Sequence, residues 1–194
     1  MSRWVTASLL VLGILAIAAG RVSLYATESI AEVICHGKLR CGMVAVGGET
    51  TGTNLSLGGF SWELLISDPQ LKDFAEANHH KLVTATGTLQ YLNTPERPGR
   101  WVVSVNSLTA RDPKIKEDAV AITVRGTVEK TKSTLKLKTD DFTLTITPPD
   151  NAKLLKKLDS LESRTVILKG QVDLPKSRST AKTLKITPTE VVAN

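Results

Sequence analysis

The sequence predicts a mostly β protein: two tandem small β-barrels, each with one short helix, after an N-terminal hydrophobic signal or anchor helix. Three observations carry this. An apolar run opens the chain. Strand-like stretches with a two-residue period dominate the rest. Those stretches recur at offsets of 80 to 89 residues.

The N-terminal segment comes first. Arg3 precedes Val5–Ala19, a run of 15 residues in which Thr6 and Ser8 are the only polar members. A positive n-region, an apolar stretch of this length and small residues at the cut make a secretory signal. Ala16-Ile17-Ala18 and Ala18-Ala19-Gly20 both satisfy the small-x-small rule. A membrane-crossing helix needs about 20 apolar residues, and Arg21 interrupts sooner. Residues 1–20 are therefore read as a cleaved signal, with an uncleaved N-terminal anchor as the alternative. Cys35 lies too far downstream for a lipoprotein signal. The protein is expected to be exported, to the periplasm or another extracytoplasmic space, and to touch membrane only through this segment.

The first barrel spans residues 34–110. Gly37-Lys-Leu39 marks its first strand. Phe60, Trp62, Leu64 and Ile66 share one face of a later strand, as a period of two requires. Asp68 caps a helix with Pro69 at its first position, where the missing N–H costs nothing. Leu71, Phe74 and Ala75 form that helix's apolar stripe. Strands at Leu82–Leu89 and Trp101–Val105 complete the unit.

A charged linker at 111–119, carrying Pro113, leads to the second barrel at 120–194. Here Gly126-Thr-Val128 repeats Gly37-Lys-Leu39 at an offset of 89. Phe142, Leu144 and Ile146 repeat Trp62, Leu64 and Ile66 at 80. Thr165–Val172 repeats Leu82–Leu89 at 83, placing Gly170 on Gly87. Lys182–Ile186 repeats Trp101–Val105 at 81. The second helix starts near Pro149-Asp150-Asn151, with Leu154, Leu155, Leu158 and Leu161 as its stripe. Offsets change only at turns, where insertions are tolerated. The order strand, strand, strand, helix, strand, strand is that of an OB-fold. Glycine midway along a strand, as at Gly87 and Gly170, suits a barrel corner or bulge.

The run Gly42-Met-Val-Ala-Val-Gly-Gly-Glu-Thr-Thr-Gly-Thr53 resembles one that recurs in uncharacterised exported bacterial proteins. There it precedes a Trp/Tyr-Glu-Leu strand, a short helix and a Val-Thr-Gly-Thr-Leu strand, as here. The OB-like pattern is likewise similar to the small OB-fold proteins of the bacterial periplasm. The resemblance covers Gly37–Leu108 and implies fold and compartment; it implies no activity. The second copy lacks the glycine-rich run.

Charge divides unevenly. Residues 21–118 hold ten Lys/Arg against eleven Asp/Glu, and residues 120–194 hold 14 against eight. The second half is the basic one, and its best polyanion contacts are Arg125, Lys136, Lys138, Lys169 and Lys185. The alternative is a solvated face that keeps the domain soluble. Aromatics make up 4% of the chain, too few for rows of stacking platforms. With the export pattern, that argues against nucleic acid as the partner.

In the first half, Gly47, Gly48, Glu49, Thr50, Thr51 and Thr53 fall in the first inter-strand connection, which OB-folds use for ligands. Free N–H groups and threonine hydroxyls there suit a polar or anionic envelope ligand. The alternative is a structural hairpin that needs glycine for its backbone. It is not a P-loop, because the Lys-Ser/Thr is missing. Cys35 and Cys41 leave three readings: a disulfide, which requires a chain turn near Gly37; two separate thiols; or a metal site helped by His36, His79 and His80, at a spacing unusual for zinc. His79 and His80 otherwise read as an exposed helix end. No G-x-S-x-G or H-E-x-x-H occurs. The function expected is a non-catalytic binding or interaction module of the cell envelope, without a cofactor, whose partner is a polar or anionic ligand or another protein; the alternatives are nucleic-acid or polyanion binding through the basic second barrel, and an enzyme whose catalytic groups are distant in sequence.

Overall fold

Strand β1 (Ala31–Val44) sets the pattern: Ala31, Val33, Cys35 and Leu39 are buried, while Glu32, Ile34, Lys38 and Arg40 face outward. Alternation of this kind leaves one side of a strand for a core and the other for water. The computed structural model describes residues 31–44, 51–58, 60–94, 97–131, 134–174 and 183–193.

After β1 come β2 (Thr51–Leu57), β3 (Phe60–Leu65), α1 (Pro69–Ala77), β4 (Leu82–Thr94) and β5 (Arg97–Ala110). These strands close into a five-stranded barrel in the order β1-β2-β3-β5-β4-β1. Closure is possible because β1 pairs with β2 through Lys38–Val44 and with β4 through Glu32–Lys38. Strands β3 and β5 run parallel, and the other neighbours in this ring run antiparallel.

Beyond the linker lie β6 (Ala119–Thr131), β7 (Thr134–Lys138), β8 (Thr143–Ile146), α2 (Ala152–Asp159), β9 (Thr165–Val172) and β10 (Lys185–Ala193). They follow the same cyclic order, β6-β7-β8-β10-β9-β6, with β8 and β10 parallel. The two rings are joined by antiparallel pairing of β1 with β6, from Ala31↔Val124 to His36↔Ala119. All ten strands among the described residues therefore belong to one sheet.

The helices form as their caps dictate. The Asp68 carboxylate accepts the N–H of Gln70, and Asn151 accepts those of Lys153 and Leu154. Each helix turns a small apolar face to its ring: Ala75 from α1, and Leu158 with the following Leu161 from α2. Both expected strand glycines mark close backbone approaches. A Cβ on Gly87 would strike the Ser104 carbonyl oxygen, and one on Gly170 the Thr187 carbonyl oxygen.

Several expectations need correction. The first strand starts at Ala31, upstream of residue 34. The chain does not turn at Gly37; β1 runs straight through it, and glycine is needed there because a Cβ would collide with the Ser56 carbonyl oxygen. The linker is fastened by its own charges and to the first ring. Arg111 pairs with Asp118 at 3.0 Å, and Asp118 also accepts the N–H of Gly58 at 3.0 Å. Phe142 is buried as expected, yet it precedes β8 and packs edge-on against Trp101 of the other ring at 5.1 Å. The expected signal or anchor at 1–20 lies outside the described residues. Among those described, no helix is long and apolar enough to cross a membrane.

Candidate functional site

The five basic residues expected to meet a polyanion do not share one surface. Lys136 on β7 lies opposite Thr145 on β8, and Thr145 is aligned with Lys185 on β10. All three side chains are on the outside of the barrel, since Leu137, Leu144, Ile146 and Ile186 between them point inward and are buried. Two strand spacings put Lys136 and Lys185 about 10 Å apart at the backbone. Lys138 stands one pleat along, opposite Thr143. Neither Lys136 nor Lys185 has an ion-pair partner among the described residues. Lys138 is 3.6 Å from Glu129.

Arg125 and Lys169 lie elsewhere, on β6 and β9. Arg125 sits opposite Ile167. Lys169 pairs with Glu190 at 2.9 Å, and that bond and charge hold the Glu190 carboxyl below the usual range. At the far border of the lysine row, Asp173 accepts the hydroxyls of Thr147 at 2.6 Å and Thr187 at 2.7 Å. The row is thus a strip of ammonium and hydroxyl groups with one carboxylate at either margin, Glu129 and Asp173, each already engaged.

In the glycine-rich connection, Gly47, Gly48, Glu49 and Thr50 lie outside the described residues. Thr51 opens β2, and Thr53 stands on it beside the Cys41 thiol.

The cysteines are both free thiols. A disulfide between Cys35 and Cys41 does not form, because an unbroken strand separates residues six apart by about 20 Å. Cys35 points into the core, where burial pushes its thiol up to about 12. Partial burial also raises the Cys41 thiol, which donates to the Ala75 carbonyl at 3.2 Å. Among the described residues no group of three His, Cys, Asp or Glu side chains is placed to hold a metal.

The histidines are more than an exposed helix end. His79 Nδ1 accepts the N–H of Cys41 at 2.8 Å, which ties the turn after α1 to β1. His80 adopts a left-handed φ of 65°, and its ring lies 3.7 Å from that of His79, tilted by 47°. Burial, and then the nearby His79, Lys38 and Arg40, lower the His80 value below the ordinary 6.5. The near neutrality of the first half hides this cluster in the sequence, because its members come from positions forty residues apart. His36 lies farther along β1, 2.9 Å from Thr84 Oγ1, and is also lowered, by burial and then by Arg111.

No known family profile matches the chain, and no curated protein does. Solved structures do. The wild-type single-stranded DNA binding protein from Thermus aquaticus superposes with a TM-score of 0.54 at 11% identity, over 86% of this chain and 94% of that one. A deletion mutant of the same protein gives 0.53 at 10% identity, over 87% and 96%. At such identity the likeness establishes the fold. It is an OB-fold.

Proposed function

We propose that this chain is an exported, non-catalytic OB-fold binding module of the cell envelope, which holds an anionic polymer on the outer face of β7, β8 and β10. The row Lys136–Thr145–Lys185 carries this reading: two ammonium groups, neither in an ion pair among the described residues, flank a hydroxyl on a rigid sheet, with Glu129 and Asp173 one strand farther out on either side. Cations on a fixed scaffold attract polyanions by releasing counterions, and hydroxyls add hydrogen bonds to anionic oxygens. We read the rings as two copies of one unit, 34–110 and 120–194 joined by 111–119, of which the second bears the polymer. Arg3 and the apolar run to Ala19 support export.

Single-stranded DNA, the ligand of the structural neighbours, is one such polymer. The second ring is not built to stack bases. Residues 120–194 contain a single aromatic, Phe142, and it is buried against Trp101. Contact through phosphates and hydroxyls is what this face offers.

The test is a titration of the full chain with labelled oligothymidylate of about 20 nucleotides and, separately, with inorganic polyphosphate, at about 50 mM salt. Lys136→Glu combined with Lys185→Glu should weaken both by about tenfold or more while leaving thermal unfolding in place. Unchanged binding by the double variant removes this face from the function. No binding of either polymer by the wild type overturns the polyanion reading. Intact mass of the exported protein tests the compartment, since a mass that includes Met1 to Ala18 leaves only the anchor.

A further inference from the structure

A second surface, on the other ring, has a different chemistry. We propose that the edge where β1 meets the turn after α1 is a binding site for a tetrahedral oxyanion, a phosphate or sulfate group, and that a proton is taken up with the anion. Lys38, Arg40, His79 and His80 would hold it.

The backbone brings these residues together. His80 N–H donates to the Leu39 carbonyl at 2.9 Å, and Leu39 N–H donates to the Lys81 carbonyl at 2.9 Å. Residues 80 and 81 are thereby clamped beside Leu39. Leu39 is buried, so its neighbours Lys38 and Arg40 face outward on either side of the clamp. His79 Nδ1 is occupied by the Cys41 N–H, which leaves the His79 proton on Nε2 as a donor. Across the ladder on β2, Ser56 stands opposite Lys38 and Asn54 opposite Arg40, adding a hydroxyl and an amide.

The clamp itself does not need those charges. The second ring has the same one: Ser163, with φ 61°, donates to the Val128 carbonyl at 2.8 Å, and Val128 donates to the Arg164 carbonyl at 3.1 Å. There the residues flanking Val128 are Thr127 and Glu129, and Ser163 replaces His80. Identical backbone with different side chains separates the structural role from the chemical one.

His80 is the titrating member. The groups around it are Lys38 and Arg40 from β1, and His79 and Lys81 from the turn. Lys81 Nζ is directed to Asn78 Oδ1 at 3.3 Å. Glu76 of α1 is the carboxylate on that side, and it acts on Cys41. Surrounding cations oppose a further positive charge on His80. A bound dianion cancels that opposition, so each event favours the other.

Sulfate is the suitable probe, because it stays doubly charged across the histidine range. The full chain is titrated with sodium sulfate against sodium chloride of equal ionic strength, following by NMR the backbone amides of residues 38–40 and 79–81 in every variant and the His80 imidazole where it is present. Saturable shifts specific to sulfate are expected, with affinity about fivefold tighter at pH 6 than at pH 7.5. Lys38→Gln with Arg40→Gln should abolish them. His80→Asn, which tolerates the left-handed backbone, should keep sulfate binding and lose its pH dependence. Sulfate shifts no larger than those from chloride, binding that ignores pH in the wild type, or binding unaffected by the double variant would each overturn the proposal. None of these outcomes bears on the lysine row of the other ring.

Discussion

Val33 faces Ile122 across the β1–β6 ladder, and the two occupy the same position in their rings, each four residues before the glycine that admits the second strand. The relation extends to the neighbours. Ala31 pairs with Val124, while Val120, the counterpart of Ala31, pairs with Cys35, the counterpart of Val124. Residues at the same place in each ring's strand order thus face one another, which is the register an isologous contact would have if the rings are the two copies proposed above.

That contact should couple the stabilities of the rings. Val33 and Ile122 are each 2% exposed, so truncation of Ile122 to Ala should cost about 2–5 kcal/mol. In a double-mutant cycle with Val33→Ala, the two effects should depart from additivity by about 0.5 kcal/mol or more. Urea unfolding of the four proteins measures this. Additive effects would mean that the ladder does not transmit energy between the rings.

Acid should destabilise the fold through His36 and His80. His36 and His80 both bind a proton more weakly folded than unfolded. Between the ordinary value of 6.5 and the lower folded values, the unfolded chain holds more protons, so stability rises with pH there. The melting temperature should therefore fall as pH drops below about 6.5. Replacing His36 with Gln and His80 with Asn should reduce that fall. An equal fall in the variant would assign the acid sensitivity to other groups.

The thiols should be indifferent to reductant. Cys35 is fully buried with its thiol pushed up to about 12, and Cys41 is half-buried and held by Ala75. Adding dithiothreitol should leave the melting temperature unchanged. Iodoacetamide should label Cys41 before Cys35, because reactivity follows thiolate fraction and access. A non-reduced mass lower by two hydrogens would show that they pair after all.

The elements themselves were largely legible in the sequence, for local reasons. Period-2 stretches such as Phe142–Ile146 and the Asp68-Pro69 cap encode their own conformation, and a repeated offset tells the same story twice. Interactions distant in sequence were not legible. Nothing near Asp118 announces that it fastens Gly58 and Arg111, and nothing near Lys38 announces His80. The cysteine disulfide failed as an option for a similar reason: a glycine can serve a crossing strand as well as a turn, and at Gly37 it serves the crossing. Of the five basic residues selected by charge, three fall on one face, because only register decides which lysines stand side by side.

The β1–β6 ladder also changes how the molecule responds to dilution. Two separate barrels joined only by such a contact would dissociate as their concentration fell. Here both strands belong to one chain, with residues 111–118 between the rings and Arg111 bonded to Asp118, so each strand sees its partner at a fixed and high local concentration. The chain therefore keeps the ten-stranded sheet of its described residues at any dilution, however few copies are present.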